Sequence, residues 1–283
     1  MLIDTHAHLY WDSYKNDLDE VIKRSIDAGV TTIINVGVDV RLSKKAVEQA
    51  ENKLNRIPGF KAYSTIGIHP HEAIRYPNDV SIRNDIAELE KIYQTKPDQI
   101  VAVGECGLDY FFDNNPEPTS LSPDQQKKLQ GRLLQAQIDL AKKLDLPLLI
   151  HCRDDRSQNP ENSEAWNEVL DMVLSHPTVL HCYSGTLEIT QKILSSPTLF
   201  VSFAGTLTYP KNDYLRDAAK ILPLEKIVLE TDCPFLPPQS KRGQRNEPSA
   251  VREIAQLIAD LKGISLDKVA TQTTANVRTS FAF

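Results

Sequence analysis

The chain has 283 residues, 41% of them hydrophobic and 25% charged, with a formal net charge of −6 and a sequence pI of about 5.7. That is the composition of an ordinary globular protein with enough chain to bury a large core without disulfides; it argues against a protein that coats nucleic acid, since such domains are usually basic, but not against an enzyme of phosphates, because bound divalent cations invert the local field. No apolar run reaches the ~18 residues a membrane span requires and no basic-then-apolar leader is visible, so the expectation is a cytoplasmic protein whose four cysteines stay reduced.

The first predicted strand is the apolar run at residues 2–4. Leu18, Val21, Ile22, Ser25 and Ile26 then share one helical face, and Gly29 is placed to end that helix. Further Val/Ile/Leu-rich runs follow at 32–36, 62–68, 100–104, 146–150, 178–180, 199–203 and 226–230. Continuous apolar runs suit strands covered on both faces, as parallel strands are. Between the fourth and fifth runs Ser122 caps a helix with Pro123 at its first position, and Leu129, Leu133, Ile138, Leu140 and Leu144 continue down it. A late helix is expected from Pro248 toward Leu261, with Gly263 just beyond. Residues 113–123 and 154–164, rich in Pro, Asn, Ser and charge, read as surface loops. Strands alternating with helices in this number predict an α/β fold, a (β/α)8 TIM-like barrel forming a single domain over residues 1–283. An open doubly wound sheet is the alternative.

Barrel enzymes carry their chemistry at the C-terminal ends of strands. The first run is followed by His6 and His8, the third by His69 and His71, the fourth by Glu105, the fifth by His151, the sixth by His181 and the eighth by Asp232. Of the seven histidines only His176 lies elsewhere. A His-x-His pair can put both rings on one face because strand side chains alternate. Imidazoles mixed with carboxylates suit Zn, Mn, Fe or Ni, and Mg where carboxylates dominate. Any one of these histidines read alone is best taken as a satisfied core or loop residue. The set of His6, His8, Glu105, His151, His181 and Asp232 is a candidate metal cluster, and Glu105 could bridge two ions.

Eight segments carry a resemblance. They are Asp4-Thr5-His6-Ala7-His8-Leu9, Gly67-Ile68-His69-Pro70-His71, Gly104-Glu105-Cys106-Gly107-Leu108-Asp109-Tyr110, Ile150-His151-Cys152-Arg153, His181-Cys182-Tyr183-Ser184-Gly185, Glu230-Thr231-Asp232-Cys233-Pro234, Arg245-Asn246-Glu247-Pro248 and Thr274-Ala275-Asn276. With them the chain resembles, nearly end to end, the TatD family of metal-dependent deoxyribonucleases within the amidohydrolase-like hydrolases. The resemblance implies a TIM-like barrel that hydrolyses DNA phosphodiesters, as a 3′→5′ exonuclease with Mg or a similar ion. It also implies that His6, His8, Glu105 and Asp232 hold one ion and Glu105, His151 and His181 a second, the cofactors being two divalent ions (Mg, Mn or Zn). Residues 154–164, beside the expected mouth, look longer and more polar than the family pattern, which puts substrate preference in question.

The mechanism expected is attack by a metal-bound hydroxide, with Glu105 as bridging ligand and Asp232 as general base or simple ligand. Arg153 and Arg245 could clamp phosphate oxygens through their bidentate guanidinium forks, or form ordinary ion pairs. Ser184 opens a turn whose N–H groups could hold an anion or merely cap a helix. His69 and His71 are expected to touch substrate rather than metal, or to make a structural hydrogen bond. Each cysteine directly follows a proposed ligand, so alternation should turn Cys106, Cys152, Cys182 and Cys233 outward as buried hydrophobes. The basic run Lys241-Arg242-Gly243-Gln244-Arg245 and the aromatics Tyr110, Phe111 and Phe112 are candidate nucleic-acid contacts, against solvated loop and core packing. The expected partner is DNA, single-stranded or at its 3′ ends, with no membrane and no obligate protein. An amidohydrolase, lactonase or phosphoesterase for a small metabolite is the alternative, because one barrel supports many chemistries. A non-catalytic binding module would be expected to have lost His6 or Glu105.

Overall fold

The computed structural model describes residues 1–112, 119–281 and 283. Among them eight strands form one parallel sheet in chain order: β1 (Leu2–Ala7), β2 (Val30–Asn35), β3 (Lys61–Ile66), β4 (Ile100–Asp109), β5 (Leu148–Arg153), β6 (Thr178–Leu180), β7 (Leu199–Phe203) and β8 (Ile227–Leu229). Nine α-helices intervene or follow: α1 (Leu18–Asp27), α2 (Val40–Asn52), α3 (Asp79–Thr95), α4 (Pro123–Leu144), α5 (Glu164–Val173), α6 (Leu187–Ser195), α7 (Asp213–Ile221), α8 (Val251–Lys262) and α9 (Leu266–Ser280). This is the expected barrel, and consecutive pairing from β1 to β8 excludes the doubly wound order. No described helix is long and apolar enough to cross a membrane.

The local signals act as anticipated. Gly29 ends α1 with φ 82° and Gly263 ends α8 with φ 63°, both left-handed conformations that glycine adopts without penalty. Ser122 and Gln125 form a reciprocal capping box at the start of α4. Residues 154–163 lack regular structure, as expected, while 113–118 of the other predicted loop lie outside the described residues.

The barrel closes through polar groups. β1 and β8 form no ladder with each other, and the seam is made just beyond β8, where Ala7 and Cys233 form a single parallel bridge. Asp232 N–H donates to His6 O at 2.8 Å and His8 N–H to Cys233 O at 2.8 Å. Fully buried Asp4 adds a second stitch, accepting from Thr231 N at 2.9 Å, Thr231 Oγ1 at 2.6 Å and His6 N at 3.2 Å. Burial pushes the Asp4 carboxyl well above its usual range, and these donors only partly offset that. At the opposite end, Val277 from α9 and Phe281 just after it plug the barrel against Ile3, Ile34, Val101, Leu149, Val179 and Val228. Asn276 holds α9 there, donating to Leu224 O and Ile227 O at 2.7 Å each. The Thr274-Ala275-Asn276 segment is therefore structural.

Strand ends differ from expectation where polar residues replace apolar ones. β1 runs to Ala7, β4 to Asp109 and β5 to Arg153, so His6, Glu105 and His151 lie inside strands rather than after them. The apolar pattern stops earlier because these side chains face one another in the barrel mouth. Register shifts also interrupt β1 between Asp4 and Ala7 and β4 between Val103 and Cys106. Such bulges re-aim side chains. The one in β1 lets His6 enter the mouth although Ile3, an odd number of residues away, also faces inward.

Replacing Asp4 by Ala leaves the buried N–H and the hydroxyl proton of Thr231 without an acceptor at the seam. We expect unfolding in urea to show a loss of about 3 kcal/mol or more, from the cost of unsatisfied buried donors. A change below about 1 kcal/mol, the net worth of one ordinary hydrogen bond, would show that Asp4 does not close the barrel.

Candidate metal centre

Glu105 stands at the middle of the mouth with its residue 5% exposed. Its placement depends on glycine: Gly107 has φ 148°, and any Cβ there would overlap the carbonyl oxygen of His151. β4 and β5 can thus approach closely only with glycine at that position. The two carboxylate oxygens face different neighbours. Oε2 lies 3.2 Å from His6 Nε2 and 3.9 Å from His8 Nε2. Oε1 lies 2.9 Å from His181 Nε2, 3.2 Å from His151 Nδ1 and 3.4 Å from His69 Nε2.

Asp232 completes the first group. Its Oδ1 lies 3.4 Å from His8 Nε2 and 3.6 Å from His6 Nε2, and those two nitrogens are 3.1 Å apart. Asp232 has φ 55°, a left-handed conformation that aspartate tolerates better than most residues. In the second group His151 Nδ1 and His181 Nε2 are 3.1 Å apart. Potential ligand atoms of His6, His8 and Asp232 lie within 4.8 Å of one another, and so do those of His69, Glu105 and His151. Imidazole nitrogens and carboxylate oxygens converging this closely fit a divalent cation as their common partner.

Outer carboxylates orient the rings, and neither stood out in the sequence. Asp109 is 1% exposed, and its Oδ2 lies 3.0 Å from both His151 Nε2 and His71 Nε2. This fixes the tautomer that leaves His151 Nδ1 facing Glu105. Glu230, fully buried, accepts Cys182 N–H at 2.6 Å and lies 3.4 Å from His181 Nδ1, within ion-pair distance but without hydrogen-bond geometry. His6 Nδ1 and Glu230 Oε2 are buried without hydrogen-bond partners, and atoms of His6, His181 and Glu230 lie within 4.8 Å of one another. Glu230 thus stands behind the first and second groups together. Asp109 could have been found by period-two counting from Glu105; Glu230 carried no such signal, since it reads as the end of an apolar run.

Electrostatics follow the same division. Burial alone would raise the carboxyls, but His181, His6 and His69 hold Glu105 well below the usual range, and His8 and His6 hold Asp232 down. Burial lowers His6, and lowers His69 to about 4 despite nearby Glu105. Burial is overcome at His8 by Asp232, at His151 by Asp109 and Glu105, and at His181 by Glu105 and Glu230, so all three are raised.

The remaining predicted residues divide. His69, expected at substrate, sits against Glu105 with the second group; His71 stands one step out, on Asp109. Arg153 ends β5, has no described carboxylate within ion-pair distance and lies 4.1 Å over the Phe111 ring. Of its expected partners, Asp154 accepts Ala165 N, while Asp155 accepts Ser157 N and feels the Arg153 charge without forming an ion pair with it. Arg245 corrects the expectation of a phosphate clamp. It donates to Asp17 at 2.8 and 2.6 Å, to Glu247 at 3.1 Å and to Ser13 O, and lies over Tyr14. No fork remains for a ligand. Ser184 is half-buried between β6 and α6, whose cap is Thr186. Cys106, Cys152 and Cys233 are buried and pack in the apolar clusters as alternation requires, with burial pushing each thiol up. Cys182 departs, half-buried at φ 43° and outside those clusters. Tyr110 is buried with its hydroxyl on Glu168, Phe112 packs on the core, and Arg242 lies over Tyr209. His176, the outlying histidine, caps Leu146 O at 2.8 Å.

A family model described as TatD related DNase matches residues 3–282. The chain is 33% identical over 286 residues to "Uncharacterized metal-dependent hydrolase YabD" of Bacillus subtilis (strain 168), covering 99% of each. It is 30% identical over 284 residues to "3'-5' ssDNA/RNA exonuclease TatD" of Erwinia billingiae, covering 99% of this chain and 98% of that protein. Among solved structures, YJJV, a TatD homolog from Escherichia coli K12, superposes with a TM-score of 0.79 at 27% identity, covering 100% and 98% of the two chains. A TatD family hydrolase from Entamoeba histolytica has a TM-score of 0.82 at 24% identity, covering 99% and 98%, and bears on the fold alone.

Removing the Asp109 carboxylate should release His151 from its aligned tautomer. We expect Asp109→Ala to weaken divalent-metal affinity by about 10–100-fold, read by competition with a chromophoric chelator. Unchanged affinity would show that Asp109 is only a structural anchor for His71.

Proposed function

The chain belongs to the TatD related DNase family of metal-dependent hydrolases, and from that premise we propose that it binds two divalent ions and removes nucleotides from the 3′ end of single-stranded DNA. Glu105 supports the two-ion reading: one buried carboxylate turns each oxygen to a separate set of imidazoles. His6, His8, Glu105 and Asp232 would hold one ion; Glu105, His151 and His181 would hold the other, with His69 beside them. Mg, Mn or Zn would suit these donors. Ions held there would supply Lewis acidity and lower the pKa of bound water.

Asp232 is assigned the general base. Its side chain is 15% exposed, against 6% for Glu105, 1% for Asp109 and 0% for Glu230. Of these carboxylates it is the one that water from the mouth can reach, and its lowered pKa keeps it ionised at neutral pH. Glu105 remains a ligand, walled in by histidines. Arg153 is assigned to a phosphate oxygen, because it ends β5 at the mouth and its guanidinium is steadied over the Phe111 ring. Ser184, in the turn after β6, and His71, on Asp109, are assigned to further substrate contacts. Substrate entering there meets β1, β5, β6 and β8 together. The four unpaired cysteines support a reducing, cytoplasmic setting.

End-labelled single-stranded DNA incubated with the protein and Mg or Mn should yield a ladder shortening from the 3′ end. Turnover of a lactone or amide panel with no DNA cleavage would replace the nuclease reading with the small-metabolite one. Asp232→Asn, checked for retained metal by elemental analysis, should lose about 10²–10⁴-fold in kcat, the usual contribution of a positioned base. Unchanged turnover with metal retained would reduce Asp232 to a ligand.

A further inference from the structure

Two large aromatic side chains stand exposed beside the first metal group. Trp11 is 40% and Phe235 is 47% exposed. They follow β1 and β8, which meet at the barrel seam, and their rings contact edge to face at 5.9 Å and 81°. Phe235 also meets the His8 ring, at 6.2 Å. Trp11 lies nearly parallel to Tyr10, at 6.2 Å and 24°. Tyr10 is itself fixed, donating its hydroxyl to Val36 O at 2.8 Å.

Both aromatics are held from below by buried polar groups. Asn246, fully buried, donates to Phe235 O at 2.8 Å and to Thr231 O at 2.9 Å. Tyr14 donates to Asn246 O at 2.5 Å, and Arg245 ties Ser13 and Asp17 to the same hub. The segment bearing Trp11 and the loop bearing Phe235 are thus joined to one anchor. Neither ring belongs to a core cluster, and each leaves a large part of its face open to solvent. A rigid pair of exposed aromatic faces within one ring's reach of a metal ligand matches what an unpaired base requires. Base–aromatic stacking tolerates any sequence, since every base has a π-face.

We infer that Trp11 and Phe235 form a stacking platform for the unpaired base next to the scissile phosphate. This rests on the nuclease reading above and adds to it the reason for single-strand selection: a base held in a duplex cannot offer its face. Arg153, across the mouth, would contact the phosphate side of the same nucleotide.

The test uses the full chain with Mg and a fluorescein-labelled, phosphorothioate-linked hexathymidylate, with and without its 3′-terminal base. Cleavage of ordinary single-stranded DNA by the same preparation is scored first, and its absence overturns the nuclease reading and this inference together. Given cleavage, Trp11→Ala and Phe235→Ala should each weaken hexathymidylate binding about ten-fold, and Trp11→Phe should keep it within about two-fold. The abasic oligonucleotide should bind wild type about ten-fold more weakly and lose little more in the Ala variants. Wild-type tryptophan emission should be quenched on binding, and Trp11→Phe should abolish the quenching, because Trp166 is fully buried. Cleavage with unchanged affinities in the Ala variants, or equal binding of the abasic oligonucleotide, overturns the platform and leaves the nuclease reading standing.

Discussion

Everything in the mouth of this barrel is arranged around the burial of one carboxylate. A buried, ionised glutamate is costly unless compensated. Glu105 is compensated by imidazoles from four other strand ends, His6 and His8, His69, His151 and His181. The same arrangement gathers more lone pairs than the available protons can satisfy, which is the condition in which a divalent cation becomes the natural partner. The centre is then built outward in layers. Asp109 orients His151, Glu230 backs His6 and His181, and glycine at 107 lets β5 approach.

Closure of the barrel and construction of the centre are one event. The seam bond from Asp232 to His6 runs between two ligand residues, and the one from His8 to Cys233 joins a ligand to the residue directly after another. Asp4 and Thr231 then fasten the same two segments by side chain. A barrel left open at this seam would lose Asp232 from the first group while keeping Glu105 and the second. Stability and ligand geometry are therefore coupled most tightly at β1 and β8. The Arg245-Asn246-Glu247 hub extends this coupling outward, because it holds the loop after β8 against the segment that leads into α1.

The chain announces its repeat and its ligand residues clearly, and its distances poorly. Each strand run carries its own apolar signal, and a polar residue of metal-binding type at its end is visible without neighbours. That is why His6, His8, Glu105, His151, His181 and Asp232 can be picked out. Arg245 illustrates the limit: its carboxylate partner Asp17 lies far away in the chain and comes close only when the ring closes. His69 illustrates another, because its approach to Glu105 depends on the stagger between β3 and β4, where the register shifts. Asp109 and Glu230 were hidden because one sits inside an extended strand and the other ends an apolar run. Burial of either carboxylate makes sense only once its histidines are beside it.

Periodicity and composition are local properties, and they were enough to dictate the alternation of strands and helices, the caps of α1, α4 and α8, the outward turn of Cys106, Cys152 and Cys233, and the residue types at the mouth. Only the closed fold decided which oxygen of Glu105 faces which imidazole, that Arg245 is spent on Asp17 while Arg153 has no carboxylate partner among the described residues, and that Trp11 and Phe235 stand together beside His8. The physical reason is that these relations span the ring. They depend on strand stagger, on bulges at β1 and β4, and on a seam joining the first strand to the segment after the last, none of which any short window of sequence contains.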